Sequence, residues 1–326
     1  MVKIGFITTD SQGVEYHRLI KPFSLLEGFD ITMCEGVTNE LLDMGFDVVV
    51  FSRTLPLFGK QNQKEGNYFK QQAFIKELQK QGVYVICDID DYWIFDTNHI
   101  ATHIQKRVFK GQWIDAIINA DEVWTTHEHL GNYIDKLNKN WHVIPNAIDP
   151  NEAQWKSRED KPRGNRIGWA GGVTHFHDLM LTDGCWGDDY PVICGFKDDP
   201  QWIKLADRFR ADYVDGMDVW NYGQLYDYFD IAIAPLVDNR FNRCKSNLKI
   251  IEAGMKGLPI FVQNIHPYID DARGIYKVDD WKAAIREAGN MEHERIYEDG
   301  QVLRAYCLEN YDLNKVNEKR KERLWY

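Results

Sequence analysis

Short apolar runs alternate with polar and amphipathic stretches along the whole chain. Several runs are almost continuously apolar, which is typical of strands covered on both faces in a parallel sheet with helical crossovers. In the first half the pattern predicts six strands, at Val2–Ile7, Asp30–Cys34, Asp47–Phe51, Val83–Cys87, Glu122–Thr125 and His142–Ile144. In the second half it predicts six more, at Arg166–Ala170, Val192–Cys194, Ala211–Val214, Ile231–Pro235, Ile260–Val262 and Gly274–Val278. We therefore expect an α/β protein made of two doubly wound, Rossmann-like domains.

A polar stretch separates the two sets of predicted strands. Residues 151–165 contain proline and glycine and show no apolar period, as linkers do. The pattern therefore predicts an N-terminal domain at 1–150, a linker at 151–165, a C-terminal domain at 166–301 and a helical segment at 302–326. A length of 326 residues suits two domains that each bury a core. The simplest arrangement has the two domains facing a cleft.

Composition places the chain among folded proteins, with 44% hydrophobic and 27% charged residues. No run approaches the roughly 18–20 apolar residues that a membrane span needs. The N-terminus MVKIGFITTD becomes polar too early for a signal peptide. The six scattered cysteines form no C-x-x-C pair, which argues against a zinc ribbon and for a reducing compartment. We expect a cytoplasmic protein.

The charge distribution is uneven. A net charge of −11 argues against a nucleic-acid binder that works by bulk attraction. A local excess of positive charge nevertheless lies in the first half, at Arg53, Lys60, Lys64, Lys70, Lys76, Lys80, Lys106, Arg107 and Lys110. This basic stretch is either a solvated helical face or a surface for an anionic acceptor or membrane.

The segment 230–262 carries the most specific chemical pattern. A predicted helix at Asn247–Lys256 follows a buried strand, with Ser246 as its N-cap and Gly257 as its left-handed stop. In open α/β sheets, ligands bind where the carboxyl end of a strand leads into a helix. Ser246 and Asn247, at the start of the helix, are therefore predicted to bind a donor substrate.

Three charged residues of this segment share a helical spacing. Lys245, Lys249 and Glu252 lie at i, i+4 and i+7, which would bring them close together on one helical face. The positive end of a helix and two ammonium groups suit a diphosphate, and Glu252 can accept hydrogen bonds from ribose hydroxyls. The alternative is a solvated helix on which Lys249 and Glu252 form an ion pair.

A glycine pair follows the first strand of the second half. Gly171 and Gly172 allow the backbone to approach a ligand closely. His175, His177 and Asp178 come next and could contact donor or acceptor, cap a helix, or bind a metal. The H-x-H pattern lacks a third ligand at a fixed spacing, which argues against the metal.

The first half carries an acidic trio, Asp88, Asp90 and Asp91, just past a predicted strand. Three carboxylates this close repel one another, so at least one needs a raised pKa or a cationic partner. As catalytic residues they could activate or orient an acceptor hydroxyl. They could instead form a D-x-D metal site, or serve as helix-cap and loop carboxylates.

The first strand leads into the sequence TTDSQGVEYHRL. Gly13 supplies a turn, and Tyr16, His17 and Arg18 begin a helix. We expect Tyr16 to pack in the core, whereas His17 and Arg18 are candidates for polar contact with substrate.

Longer strings show a family resemblance. FNRCKSNLKIIEAGMKGLPIFV resembles the donor-site signature of a group of GT-B-fold glycosyltransferases related to family 4. ADEVWTTHEHL, HVIPNAID, IGWAGGVTHFHDL and CDIDDYW are similar to other blocks of that group, in the same order, so the resemblance covers roughly 1–281. It implies diphosphate ligands at Lys245 and Lys249, a ribose or sugar-hydroxyl ligand at Glu252, and an acceptor side that holds the acidic trio. It also implies donor phosphates beside the glycine pair and a last helix that returns to the first domain.

One position departs from the family pattern. Family members usually carry two glutamates as E-x7-E, and Cys244 stands where the first one falls. The resemblance therefore leaves the donor sugar open.

These features predict transfer of a sugar from a nucleotide-sugar, such as a UDP-sugar, to an acceptor hydroxyl. The resemblance implies retention of configuration and no required cofactor, although Mg²⁺ or Mn²⁺ stays open. The expected acceptor is a glycan or a lipid-linked precursor. The basic stretch also keeps open a nucleic-acid acceptor, such as a hydroxymethylated base of phage DNA. The alternatives are a nucleotide-sugar epimerase of the same fold and a non-catalytic nucleotide-sugar-binding protein.

Overall fold

The computed structural model describes residues 1–8, 13–38, 40–55, 67–96, 109–158, 162, 164–187, 190–195 and 200–325. The chain forms two compact units. Unit 1 comprises Met1–Asn146, Cys244–Ser246 and Leu313–Tyr326, and unit 2 comprises Ala147–Arg243 and Asn247–Asp312. Within the described part of the chain, no helix has both the length and the apolar character needed to cross a membrane.

Unit 1 is built on a six-stranded parallel sheet. Its strands are β1 (Lys3–Thr8), β2 (Asp30–Glu35), β3 (Val48–Ser52), β4 (Tyr84–Ile89), β5 (Glu122–Thr125) and β6 (Trp141–Val143). Their spatial order is β2-β1-β3-β4-β5-β6. The order reverses between β1 and β3, and ligands of doubly wound sheets bind beyond the carboxyl ends of strands at such a switch point.

The central strands β3 and β4 are buried almost throughout, as strands covered by helices on both faces are. The described helices before unit 2 are α1 (Gly13–Glu15, continued by the π-helical turn Tyr16–Ile20 and by Lys21–Ser24), α2 (Glu40–Asp43), α3 (Asn67–Lys80), α4 (Phe109–Asn119) and α5 (Glu128–Ile134). In the core, Phe23 of α1 stacks with Trp124 of β5 at 6.5 Å between ring centroids.

Unit 2 holds a second six-stranded parallel sheet. Its strands are β7 (Ile167–Ala170), β8 (Val192–Gly195), β9 (Asp212–Asp215), β10 (Ile231–Ala234), β11 (Ile260–Gln263) and β12 (Ile275–Val278). The spatial order β12-β11-β10-β7-β8-β9 is that of a Rossmann sheet, with its switch point between β7 and β10.

Side chains of unit 2 alternate between two buried clusters, one on each face of the sheet. On β10, Ile231 and Ile233 pack with Trp169 and Trp202, whereas Ala232 and Ala234 face the opposite cluster. The helices are α6 (Phe176–Leu179), α7 (Pro200–Phe209), α8 (Arg240–Arg243), α9 (Leu248–Met255), α10 (Trp281–Gly289) and α11 (His293–Asn310). Short 3₁₀ turns lie at Ala153–Trp155, Val173–His175, Met180–Thr182 and Tyr222–Tyr228.

The last helix, α12 (Leu313–Leu324), follows unit 2 in sequence but belongs to unit 1. Its Asn317 Nδ2 donates to the carbonyl of Pro22 at 3.0 Å. Its Arg323 donates to both carboxylate oxygens of Glu122 at 3.0 and 2.7 Å. The helical segment predicted at 302–326 therefore consists of the second half of α11 and the whole of α12.

The stretch predicted as a linker belongs to unit 2 where the structure describes it. Trp155 is 1% exposed there, and Arg158 forms an ion pair with Asp230. Buried Gln154 and Trp155, together with the contacts of Arg158, thus anchor a segment whose polar pattern indicates a linker.

Candidate active site

The switch point of unit 2 brings two loops together, one after β7 and one after β10. Asp178, which is buried, ties them to each other. Its Oδ1 accepts from the backbone N–H of Val237 at 2.8 Å and from Asn242 Nδ2 at 2.9 Å, and its Oδ2 lies 2.8 Å from His175 Nδ1. Asp178 therefore holds the site together, while His175 is oriented by it on the β7 side. His177 is exposed on α6.

Lys249 lies one residue inside α9, beside this switch point. Its Nζ donates to Tyr222 Oη at 2.7 Å and to Glu252 Oε2 at 2.9 Å. It also lies 5.8 Å from the Trp169 ring centroid and 5.2 Å from that of Tyr222, within range of cation–π attraction. An ammonium group has three N–H donors, and the residues that the structure describes take two of them. The side chain is thus fixed with one donor remaining.

Glu252 is 2% exposed and serves as the anchor of Lys249. Its Oε2 also accepts from the hydroxyl of Tyr226 at 2.6 Å. Burial, followed by the negative charge of Glu252, raises the pKa of Tyr222 and Tyr226 well above the ordinary value, so both stay protonated. The sequence pattern left open that Lys249 and Glu252 form an ion pair, and the structure shows this ion pair. The ribose contact of Glu252 stays a prediction.

The predicted start of the donor-site helix is wrong by one residue. The N-cap is Asn247 and not Ser246, and it makes no side-chain capping bond. Asn247 Nδ2 instead donates to Asp270 Oδ2 at 2.9 Å and to Tyr311 Oη at 2.8 Å. Ser246 Oγ accepts from Asn146 Nδ2 at 2.8 Å. These tertiary partners outcompete local capping.

Lys245 consequently lies outside the helix. It precedes α9 by three residues, in the segment Cys244–Ser246 that groups with unit 1. The predicted helical face of Lys245, Lys249 and Glu252 is therefore reduced to its last two members. The diphosphate contact of Lys245 stays a prediction.

The two glycines after β7 differ in what surrounds them. A Cβ at Gly171 would lie 2.5 Å from the ring of Trp169, so the packing of unit 2 requires glycine there. A Cβ at Gly172 would meet no atom within 4 Å, and its φ of −93° is ordinary for any residue. No neighbouring atom in the described part of unit 2 requires glycine at position 172, and the donor contact of the two glycines stays a prediction.

In unit 1, the acidic trio separates into two groups. Asp88 lies inside β4, not past it, and is fully buried. Arg18 donates to its two carboxylate oxygens at 2.9 and 2.6 Å, and also bonds the Ile144 carbonyl and Asn146. Burial raises the pKa of Asp88 in spite of Arg18. The expectation of a raised pKa and a cationic partner is thus met for Asp88, while its catalytic role and the substrate contact of Arg18 stay predictions.

Asp90 and Asp91 share a different cation, Arg53. The guanidinium donates to both oxygens of Asp90 at 2.6 and 2.7 Å and to Asp91 at 2.9 Å, and it lies over the Trp113 ring at 5.0 Å. Burial alone would raise the pKa of Asp90, but the charge and hydrogen bonds of Arg53 outweigh it and lower the pKa. Arg53 also has a left-handed φ of 60°, a strained conformation that clusters at functional sites.

Sequence reasoning missed Arg53 as a site residue and counted it only in the basic stretch. The sequence signal was only that Arg53 and the acidic trio each follow a predicted strand, and the structure makes Ser52 and Asp88 register partners on neighbouring strands. The residues that follow the two strands therefore meet at the same sheet edge. Of the rest of the basic stretch, Lys60, Lys64, Lys106 and Arg107 lie outside the described residues. Lys70, Lys76 and Lys80 are exposed.

The remaining candidates lie on α1. Gly13 has a φ of 56° and is exposed, as a turn glycine should be. Tyr16 is buried in the core as expected, and His17 is 8% exposed. Among the described residues, no group of three or more His, Cys, Asp or Glu side chains is placed to hold a metal ion.

No protein-family model matches the chain, and no curated protein sequence matches it. Its structure is nevertheless similar to solved glycosyltransferases. AviGT4, a glycosyltransferase involved in avilamycin A biosynthesis, has a TM-score of 0.60 at 11% identity, over 99% of this chain and 97% of AviGT4. An α,α-trehalose-phosphate synthase (UDP-forming) from Burkholderia vietnamiensis has a TM-score of 0.53 at 12% identity, over 85% of this chain and 71% of the synthase. A trehalose-6-phosphate structure from E. coli, bound with UDP-2-fluoro glucose, has a TM-score of 0.55 at 14% identity. The match covers 88% of this chain and 75% of that one.

The chain has the GT-B fold. The expected α/β class with two Rossmann-like domains is thereby confirmed. The relation to family 4 stays a prediction.

Proposed function

We propose that this GT-B chain is a glycosyltransferase that moves a sugar from a nucleotide-sugar, bound by unit 2, to an acceptor hydroxyl. One observation carries the proposal. Lys249 is held by Tyr222 and Glu252 at the switch point of a Rossmann-ordered sheet, with one N–H donor remaining. This is where α/β sheets bind nucleotides, and the open space beside Gly172 and the N-terminus of α9 adjoin the same edge.

The chemistry requires stabilisation of a leaving group. As the bond between sugar and diphosphate breaks, negative charge grows on the diphosphate, and donors fixed beforehand stabilise that transition state. Lys249 and the first backbone N–H groups of α9 would supply such donors in unit 2. We propose that Lys245 adds a second ammonium group. Loss of one charge-assisted contact costs roughly 1.5–3 kcal/mol, which is about 10- to 150-fold in rate.

We propose Asp90 and Asp91 as the acceptor-side residues. Because Arg53 lowers the pKa of Asp90, this carboxylate is ionised at neutral pH and accepts hydrogen bonds. It therefore suits orientation of a hydroxyl better than proton abstraction, for which a pKa near the working pH is best. A glycan or lipid-linked sugar is the proposed acceptor. The exposed Lys70, Lys76 and Lys80 of α3 keep a DNA base as the second candidate.

Retention of configuration is the proposed stereochemical outcome. Glycosyl transfer with retention is described for trehalose-6-phosphate synthase, whose structure has a TM-score of 0.56 to this chain at 13% identity. A cofactor is not part of the proposal, because the donors above act without a metal.

The test is a donor and acceptor screen on three proteins. Wild type is incubated with a panel of UDP-sugars and other nucleotide-sugars and with glycan and DNA acceptors, and NMR follows the donor. Lys249→Ala is expected to lose roughly 10- to 150-fold in turnover. Lys282→Ala, which removes an exposed lysine from α10 of the same unit, is expected to match wild type.

Two outcomes would replace the proposal by its alternatives. Conversion of the donor sugar with no acceptor present would identify an epimerase. Donor binding that depends on Lys249, with no turnover on any acceptor, would identify a nucleotide-sugar-binding protein.

A further inference from the structure

Arg320 of α12 is a buried guanidinium with an open edge. The residue is 0% exposed, and its Nη1 donates to Asn317 Oδ1 at 3.0 Å. Its Nε and Nη2 have no hydrogen-bond partner among the residues that the structure describes. Buried donors in native proteins are almost always paired, so two orphaned donors on one side chain indicate a partner other than the described residues.

The Nε and Nη2 edge of Arg320 can bind two oxygens at once, as the same edge does in other arginines of this chain. Arg18, Arg53 and Arg323 each use Nε and Nη2 together to bind both oxygens of one carboxylate. The distances are 2.9 and 2.6 Å on Asp88, 2.6 and 2.7 Å on Asp90, and 3.0 and 2.7 Å on Glu122. Nε and Nη2 point the same way and match a pair of oxygens. Arg320 presents this same edge without an acceptor.

The local charge favours an anion over water on that edge. Asp88 already accepts two hydrogen bonds from Arg18, so the buried cluster of Arg18, Arg320 and Asp88 has two positive charges and one negative charge. Burial and the nearby positive charge of Arg18 lower the pKa of Arg320 to about 9, so it remains charged at neutral pH. One further negative charge would neutralise the cluster and relieve the repulsion between the two arginines.

We propose that Arg320 binds a small oxyanion, such as sulfate, phosphate or a free carboxylate, inside unit 1. The anion accepts from Nε and Nη2 and fixes α12 on unit 1, beside the Asn317–Pro22 and Arg323–Glu122 contacts. The proposal does not depend on the glycosyltransferase activity, because Arg320 takes no part in the proposed donor and acceptor contacts. Since Arg320 has no exposed surface, the anion enters when α12 opens or as the chain folds, and it exchanges slowly.

The first test measures thermal stability in sodium sulfate and in sodium chloride at equal ionic strength. Wild type and Arg320→Met are compared, with Lys321→Met as the control that removes a neighbouring charge of α12 from a partly exposed position. Sulfate raises the stability of many proteins by exclusion from their surface, and this general effect is common to all three. Wild type and Lys321→Met are expected to gain roughly 5 °C or more beyond Arg320→Met when sulfate is 100-fold above its Kd. Equal sulfate responses in all three would overturn the proposal.

A second test needs no variant and applies if Arg320→Met does not fold. Wild-type crystals are grown in selenate, whose selenium gives an anomalous signal. A peak within hydrogen-bond distance of Arg320 Nε and Nη2 is the expected result. A water molecule, or a carboxylate of the chain itself, on that edge would overturn the proposal.

Discussion

Lys249 Nζ donates to Glu252 Oε2 at 2.9 Å, one helical turn along α9. The pair is nearly buried, with Lys249 at 16% side-chain exposure and Glu252 at 3%, so solvent screens it little. Part of the lysine charge is neutralised by the glutamate. The ammonium therefore acts on a diphosphate as an oriented hydrogen-bond donor more than as a bulk charge.

Replacing Glu252 should disorder this donor. Glu252→Gln keeps the side-chain shape but replaces the ion pair with Lys249 by a weaker hydrogen bond from the ammonium to a neutral amide oxygen. We expect donor affinity to fall about 3- to 15-fold, equivalent to about 0.7–1.5 kcal/mol. Calorimetric titration with a nucleoside diphosphate measures this loss of affinity.

The matched control for this change is Tyr226→Phe. It removes the hydroxyl that bonds Glu252 at 2.6 Å but leaves the contact between Lys249 and Glu252 in place. The control should lose less affinity than Glu252→Gln. Wild-type affinity in both variants would contradict an orienting role for Glu252.

The glycine pair after β7 offers two substitutions with opposite expectations. Gly172→Ala meets no neighbour within 4 Å, so stability should change by less than about 0.5 kcal/mol while donor affinity falls. Gly171→Ala would put a methyl group 2.5 Å from the Trp169 ring and should cost about 1–3 kcal/mol of stability. Urea unfolding and donor titration on the same samples separate the two effects. Unchanged donor affinity in Gly172→Ala would show that no ligand approaches there.

Asp90 should make the stability of unit 1 sensitive to acid. Its pKa in the folded chain lies below the ordinary 3.8, so its contribution is complete above about pH 4 and is lost as the pH falls through the folded value. Asp88 acts in the opposite sense. Its raised pKa gives a contribution that is present at low pH and is lost as the pH rises through the folded value.

The measurement for Asp90 is denaturant unfolding from pH 7 to pH 3. Asp90→Asn should lose less stability than wild type below about pH 4, because the titrating group is gone. Parallel curves for the two proteins over that range would disprove the linkage to Arg53.

Asp270 is predicted to position the start of α9. It is buried and accepts from Asn247 Nδ2, Tyr306 Oη and Tyr311 Oη, so it links the N-cap of α9 to the end of α11. Asp270→Asn should lower the free energy of unfolding by about 1–3 kcal/mol and weaken donor binding as the helix start shifts. Thermal denaturation and donor titration check both. Lower stability with unchanged donor affinity would separate this cluster from the binding site.

The strands could be predicted from the sequence because both sheet faces are covered. Runs such as Ile231–Ala234 are apolar throughout, and such runs bounded by polar loops have few other interpretations. All twelve predicted strands overlap strands of the described structure, with ends that differ by at most two residues. The local stop of α9 was also predictable, because Gly257 has the left-handed φ of 73° that ends a helix.

Features set by distant partners could not be predicted in this way. Ser246 has the residue type of an N-cap, but its partner is Asn146, one hundred positions away. The sequence makes Arg18 a candidate for polar contact with substrate, and only the fold shows Asp88 beside it. Local patterns determined the elements, whereas the side-chain partners depend on which strands become neighbours.

The central claim is that Lys249 binds the diphosphate of a nucleotide-sugar. A crystal structure of the chain with UDP tests this claim most directly. We expect a phosphate oxygen within hydrogen-bond distance of Lys249 Nζ, with the diphosphate passing close to Gly172. A diphosphate bound elsewhere on unit 2, with Lys249 contacting only Tyr222 and Glu252, would contradict it.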